Sequence, residues 1–224
     1  MNFLSHYYFD RKSSNPYEVL GTVLPDLIKN ADKSYNIYPE KNEHIFLGNN
    51  HHTELLNGWK RHLQVDKIFH NSPFFFHHQH QIKLLIKNAI SDSPVKPFFL
   101  GHISLELLLD NLLLSENLIN VENFYKLINE VDEDILKQFI SLNGIADTDK
   151  FFKFFEMFKN EKYLFSYTNL DKITYALERI CMRIWKNPFT KEQADSLTKS
   201  LILYKTKLSG EFLHIFELID SQLD

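Results

Sequence analysis

The sequence predicts an all-α protein, one multi-helix domain of roughly eight to ten helices spanning residues 1–224. Three observations carry that expectation. Only six valines stand against long runs of Leu, Lys, Phe, Ile and Glu, a poor composition for strands. Helix-start signals recur along the whole chain with short connections between them. There is neither an internal repeat nor a Pro/Gly/Ser-rich linker, and 224 residues are enough for one sizeable core.

The elements follow in order. The opening Met1-Asn2-Phe3-Leu4-Ser5-His6 reads as an apolar amino-terminal helix, with no cationic n-region and no long apolar stretch of a signal peptide. Asn15-Pro16 pairs a capping residue with a first-turn proline ahead of Leu20, Val23, Leu24, Leu27 and Ile28. The segment Gly58 to His70 carries a helical His/Asp pattern, treated below. Ser72-Pro73 repeats the cap-proline signature before Phe75, Ile82, Leu85, Ile86 and Ala89, which share one stripe. Further helices are expected to start near Pro97, Asn120, Asp132, Thr148, Asn169 and Thr190, the last with Gln193 as a capping box.

Composition excludes several function classes. Six glycines assemble into no nucleotide-binding loop, and the single Cys181 excludes both a disulfide framework and a cysteine zinc site. Cys181 shares a stripe with Leu177 and Ile184, as a core thiol does. No serine sits in a nucleophile elbow. A net charge of −4 disfavours a nucleic-acid binder. The most apolar stretch, Leu105 to Leu114, is cut by Glu106, Asp110 and Asn111 and is not expected to span a bilayer. A cytoplasmic protein is the expectation. Between Trp59 and His102, six cations (Lys60, Arg61, Lys67, Lys83, Lys87, Lys96) face two acids, a local +4 that leaves −8 elsewhere. That stretch suits an anionic ligand or an acidic partner.

Ten of the eleven histidines lie at or before His102. His62, Asp66 and His70 are spaced i, i+4, i+8, and His102, Glu106 and Asp110 repeat the interval. On a helix each step of four advances about 6 Å and about 40°, so each trio forms one stripe. Neighbours on a stripe can share an ion; its first and third members, about 12 Å apart, cannot. Two such helices side by side suit two metals. The ordinary alternative is a helix-surface pair worth a few tenths of a kcal/mol. Glu106 decides between them, because Ile103, Leu105, Leu107, Leu108 and Leu109 surround it and a buried carboxylate needs a cation. His6 and Asp26 each lie in apolar surroundings and are further candidates. His78 falls on the apolar stripe with Phe75 and Ile82, as a core histidine does; His51-His52 read as a polar loop with one possible further ligand. The aromatic run Phe151 to Phe158 reads as core, or alternatively as a dimer contact or an acyl-binding wall.

These blocks resemble a known family. Met1-Asn2-Phe3-Leu4-Ser5-His6, Gly21-x4-Asp26 and Gly58-x3-His62-x3-Asp66 are similar to the opening of the acyl-carrier-protein phosphodiesterases. Glu106-x3-Asp110-Asn111-Leu112-Leu113 is similar to that family's D-x3-D-H-F-L block, and Tyr163-Leu164-x2-Tyr167 and Ile173-x3-Leu177-Glu178-Arg179-x3-Arg183 continue the likeness in order. The resemblance implies an all-α, HD-domain-like fold and a divalent metal (Mn, Fe or Zn). It also implies hydrolysis of the phosphodiester that joins 4′-phosphopantetheine to an acidic acyl carrier protein. Three positions differ: Glu106 replaces an aspartate, Asn111 replaces a histidine, and His70 stands four residues after Asp66 where the family has an acid. A second likeness is to zinc-dependent phospholipases C, through His62, Asp66, His70, His102 and Glu106. Those enzymes are secreted and start with a metal-binding mature amino terminus, which Met1 without a signal peptide does not match; for this chain the likeness implies hydrolysis of a small phosphoester.

The expected metal set is His6, Asp26, His62, Asp66, His102 and Glu106. His70 and Asp110 stand beside it as further ligands or proton-handling groups. Arg179 and Arg183, one turn apart, either hold phosphate oxygens or are ordinary surface arginines. The rival from another class is a non-catalytic helical binding protein with a decayed metal site.

Overall fold

A computed structural model describes residues 1–223. Eleven α-helices follow one another: α1 (Phe3–Asp10), α2 (Pro16–Ala31), α3 (Asn50–Asn71), α4 (Pro73–Ile86), α5 (Pro97–Ser115), α6 (Val121–Asn129), α7 (Glu133–Leu142), α8 (Asp149–Glu161), α9 (Leu170–Met182), α10 (Lys191–Leu208) and α11 (Leu213–Asp220). Short 3₁₀ turns occupy Pro39–Lys41 and Glu43–Ile45, and a longer one, Tyr163–Thr168, separates α8 from α9. There is no strand among the described residues. The all-α expectation holds.

The start signals act as their chemistry dictates. Asn15, Ser72, Asn120, Asp132 and Asn169 each accept from backbone N–H groups one to three residues into the helix that follows, and Thr190 forms a full capping box with Gln193. Thr148 precedes α8 without capping it through its side chain. No start signal marked α11, which leaves a tight turn after α10 with Phe212 already in the helical region and no side-chain cap.

Helix α5 forms the core axis. Leu100, Leu105, Leu107, Leu108, Leu109, Leu112 and Leu113 are all buried, so it is apolar all round as an enclosed helix must be. It is the one described helix long and apolar enough to cross a membrane, and most of it is buried in the protein.

Two close helix approaches aim the site. Helices α2 and α3 cross where Gly21 meets Gly58: a Cβ on Gly58 would lie 2.1 Å from the Glu18 carbonyl, and one on Gly21 would lie 2.3 Å from that of Leu55. Backbones touch there, and Asp26 and His62 follow about one turn on. Gly101 does the same between α5 and α4, where a Cβ would meet the Gln79 carbonyl at 2.8 Å, directly before His102.

Several sequence expectations land as core. Phe151, Phe155 and Phe158 are buried and Phe152 and Phe154 pack partly against them, so the aromatic run is mainly interior. Cys181 is buried and burial pushes its thiol up to about 12, while Ile184 lies past the end of α9 and is exposed. His78 is buried and its Nδ1 lies 2.7 Å from the Tyr204 hydroxyl. His51 and His52 are in the first turn of α3 rather than a loop. His52 bonds the Ile135 carbonyl, and His51 stacks on Tyr17 beside Glu54. Neither takes part in the clusters described next. The basic stretch is partly neutralised by acids from elsewhere: Lys60 pairs with Glu43 and Arg61 with the buried Asp10.

Candidate metal centre

The site is built where α1, α2, α3 and α5 meet. His62 and His70, two turns apart on α3, are oriented by the same device. His62 Nδ1 donates to the Thr22 carbonyl at 2.9 Å, and His70 Nδ1 donates to the Asp66 carbonyl at 2.9 Å. Each backbone acceptor fixes the ring and leaves Nε2 free to point inward, as the outer partner of a metal-binding imidazole does.

Two donor sets result: His6, His62 and Asp66, and His70, His102 and Glu106, with the donor atoms of each set within 4.8 Å of one another. In the first, His6 Nε2 is 3.3 Å and His62 Nε2 3.7 Å from the Asp66 carboxylate, with the two imidazoles stacked at 3.8 Å. In the second, the Nε2 atoms of His70 and His102 lie 3.2 and 3.0 Å from Glu106 Oε1 and 3.2 Å from each other. The Met1 ammonium lies between the sets, 2.5 Å from Asp66 Oδ1 and 3.3 Å from Glu106 Oε1.

His6 is fully buried, and apart from the 3.3 Å approach of Nε2 to the Asp66 carboxylate its ring nitrogens have no partner among the described residues. An orphaned buried polar atom costs about 1–3 kcal/mol, and a bound cation would repay it. The donor chemistry, imidazole nitrogen with carboxylate oxygen, fits Zn, Fe or Mn.

The electrostatics hold the donors in their binding states. Burial lowers His62, with the neighbouring His6 adding to it against Asp66; burial likewise lowers His6 against its contact with Asp66. Burial thus favours the neutral form of both imidazoles. Burial works to raise Asp66, but the Met1 ammonium, His6 and His62 outweigh it and hold the carboxyl well below the usual range. Glu106 is depressed in the same way by Met1, His102 and His70 against its burial. Those two carboxylates in turn raise the Met1 ammonium to about 10 against the desolvation that opposes them. Asp26 is pushed up to about 8 by desolvation and by the charge of Asp66, opposed by the Met1 ammonium.

The structure thus brings His6, His62, Asp66, His70, His102 and Glu106 together and sets Asp26 within reach of their field. His70 falls in the second donor set, where it was expected as a further ligand. Asp110 does something else. Fully buried, it accepts from the Ser5 N–H (2.8 Å), the Ser5 hydroxyl (2.6 Å), the Leu4 N–H (3.2 Å) and the Asn2 amide (2.8 Å). Asn2 at the start of α1 makes no side-chain cap, so Asp110 is a cap supplied from α5. Burial pushes its carboxyl up to about 7, with those donors opposing. Asn111 donates to the Tyr167 and Thr168 carbonyls and ties the 3₁₀ segment to α5. Arg179 and Arg183 are exposed, and Arg183 donates to the Asn30 side chain and the Lys29 carbonyl at the end of α2, one turn beyond Asp26.

Sequence reasoning missed the Met1 nitrogen, the Thr22 carbonyl and the anchoring of α1 by Asp110. Backbone atoms carry no side-chain signature, and only the glycine pair at the α2–α3 crossing hinted at close backbone approach. No family model, curated protein or solved structure matches this chain. The family likeness therefore rests on its ordered motif blocks alone.

Proposed function

We propose that the protein is a metal-dependent phosphodiester hydrolase with a two-ion centre. The observation that carries this reading is the pair of adjoining His/carboxylate sets with a fully buried His6 imidazole whose ring nitrogens approach no partner but Asp66 among the described residues. His6, His62 and Asp66 would hold one ion and His70, His102 and Glu106 the other. Asp26 would join once a divalent ion replaces an ammonium as counter-charge and ionises it. Ions bound there would polarise a phosphoryl group and acidify water at neutral pH. The chain's own contribution is orientation. The Thr22 and Asp66 carbonyls aim two imidazoles, Gly58 and Gly101 bring the helices close, and Asp110 secures the segment bearing His6.

The ordered motif blocks support release of 4′-phosphopantetheine from an acyl carrier protein as the activity. Against full equivalence stands Asn111, whose amide is spent on the 3₁₀ segment and carries no titratable group. A small phosphoester, as in the phospholipase-C likeness, is the second reading, favoured by His62, Asp66, His70, His102 and Glu106 all falling in the two donor sets.

Elemental analysis of protein purified without chelator tests the centre. Turnover of bis(p-nitrophenyl) phosphate and of holo acyl carrier protein, each with added Mn or Zn, tests the chemistry. We expect bound metal and hydrolysis of the generic diester. Protein that takes up none of Mn, Fe or Zn would overturn the hydrolase reading in favour of a binding protein.

A further inference from the structure

The ends of α2 and α9 carry a second feature. Beyond Asp26, α2 carries Lys29 and Asn30 in its last turn with Lys33 just past its end, and Arg183, just past the end of α9, lies against it, with Arg179 one turn earlier on α9. Arg183 donates to the Asn30 side chain and to the Lys29 carbonyl (3.0 Å), and Lys33 Nζ donates to the Arg183 carbonyl (3.0 Å). Two residues on, Trp185 packs on Phe99 at 5.2 Å, three residues before His102 on α5. The segment Arg183–Trp185 therefore touches the end of α2 and the start of α5, each about one helical turn along its helix from Asp26 and His102.

Lys29, Lys33, Arg179 and Arg183 are all exposed, and none forms an ion pair with a carboxylate among the described residues. Asp32, the acid next to Lys33, is engaged by Lys150 at 2.7 Å and by Ser34, and Glu178, the acid next to Arg179, forms no ion pair with it. Three cations meeting without a carboxylate, with Arg179 one helical turn from Arg183, are unexpected in a chain of net −4, where acids to pair them are plentiful. Their positive charge raises the local potential, which attracts anions. Arg183 is already ordered by its contacts with α2, so it loses little freedom on meeting a phosphate.

We propose that this rim, where the ends of α2 and α9 meet, is a second anion subsite, which takes a further phosphate of a small bis-phosphorylated substrate while the scissile phosphoester lies at the donor sets. The proposal rests on the phosphoesterase reading for what occupies the inner site, but the rim can be tested without turnover. The metal-loaded protein is titrated calorimetrically with thymidine 3′,5′-bisphosphate and with thymidine 5′-monophosphate. The bisphosphate should bind about tenfold more tightly, and raising the salt should erode that advantage. A Lys33→Glu/Arg179→Glu double variant should abolish the advantage while leaving monophosphate affinity within about twofold. Arg179 makes no side-chain hydrogen bond to α2 and Lys33 gives up one exposed bond, to the Arg183 carbonyl, so folding is expected to survive, and circular dichroism checks it. Lys199→Glu, an exposed change on α10, is the charge control and should keep the preference. An equal advantage in the double variant, or none in the wild type, overturns the rim assignment. So does a double variant that loses only the binding of an acidic carrier protein, because the rim is then a protein dock. If the bisphosphate preference behaves as expected but no phosphoester is cleaved, the hydrolase reading fails and the anion subsite stands.

Discussion

The two stripes His62/Asp66/His70 and His102/Glu106/Asp110 have the same spacing on two helices, yet they are used differently. On α3 all three members serve the centre, with Asp66 between two imidazoles that belong to different donor sets. On α5 only His102 and Glu106 do, and Asp110 turns to the first turn of α1. What packs over each stripe makes the difference. His6 and the Met1 nitrogen face the middle of the α3 stripe, whereas the unsatisfied N–H groups that begin α1 lie over the end of the α5 stripe. The exposures agree: Asp66, His70 and His102 are open to about a third, and Asp110 is closed completely. An acid of a regular pattern becomes a ligand or a helix cap according to the neighbour that reaches it.

The comparison is broken most severely by removing a ligand from either stripe. His62→Ala and Glu106→Gln should each weaken metal binding at least tenfold while circular dichroism shows a folded protein, since loss of a donor also relaxes the crowded charge. Full metal retention in both variants contradicts the donor assignment.

Asp110→Ala should do the reverse. It strands two backbone N–H groups, the Ser5 hydroxyl and the Asn2 amide, costing about 3 kcal/mol or more. For a chain of this size that lowers Tm by roughly 6–12 °C. The metal content of the folded protein should be unchanged. A variant of wild-type stability that has lost its metal would place Asp110 among the ligands.

His78 sharpens the contrast between a buried histidine that serves metal and one that serves packing. Burial lowers it to about 4, with Glu211 opposing and His77 and Lys207 adding to the depression. Because its folded value lies below the unfolded one near 6.5, the unfolded chain takes up the proton first. Its contribution is whole above pH 6.5 and is lost as pH falls toward 4, by up to about 3 kcal/mol. Chemical denaturation of His78→Gln across that range should show a flatter profile than the wild type. Identical slopes would mean that other groups carry the dependence.

The smallest effect is expected next to Asp110 on the same helix. Asn111→His should cost about 1–2 kcal/mol by crowding a buried position and giving up the carbonyl contacts. It should not raise phosphopantetheine release, because position 111 faces the 3₁₀ segment. A gain in turnover would show that the imidazole reaches the centre.

Much of this molecule was legible in one dimension. Helix class, most helix starts, the core roles of His78 and Cys181, and five of the six candidate donors follow from periodicity, capping chemistry and the cost of burying Glu106, all local properties. The close approach at Gly58 was only a glycine ahead of a histidine until α2 met it, and His70 became a donor only when His102 swung opposite. The fate of Asp110, the Met1 nitrogen between two carboxylates and the cations gathered from α2 and α9 depend on residues far apart in the chain. Spacing along a helix settles which side chains share a face. Which atom arrives to face them is decided by packing, because the unpaired backbone groups and charges that need partners are satisfied across the fold.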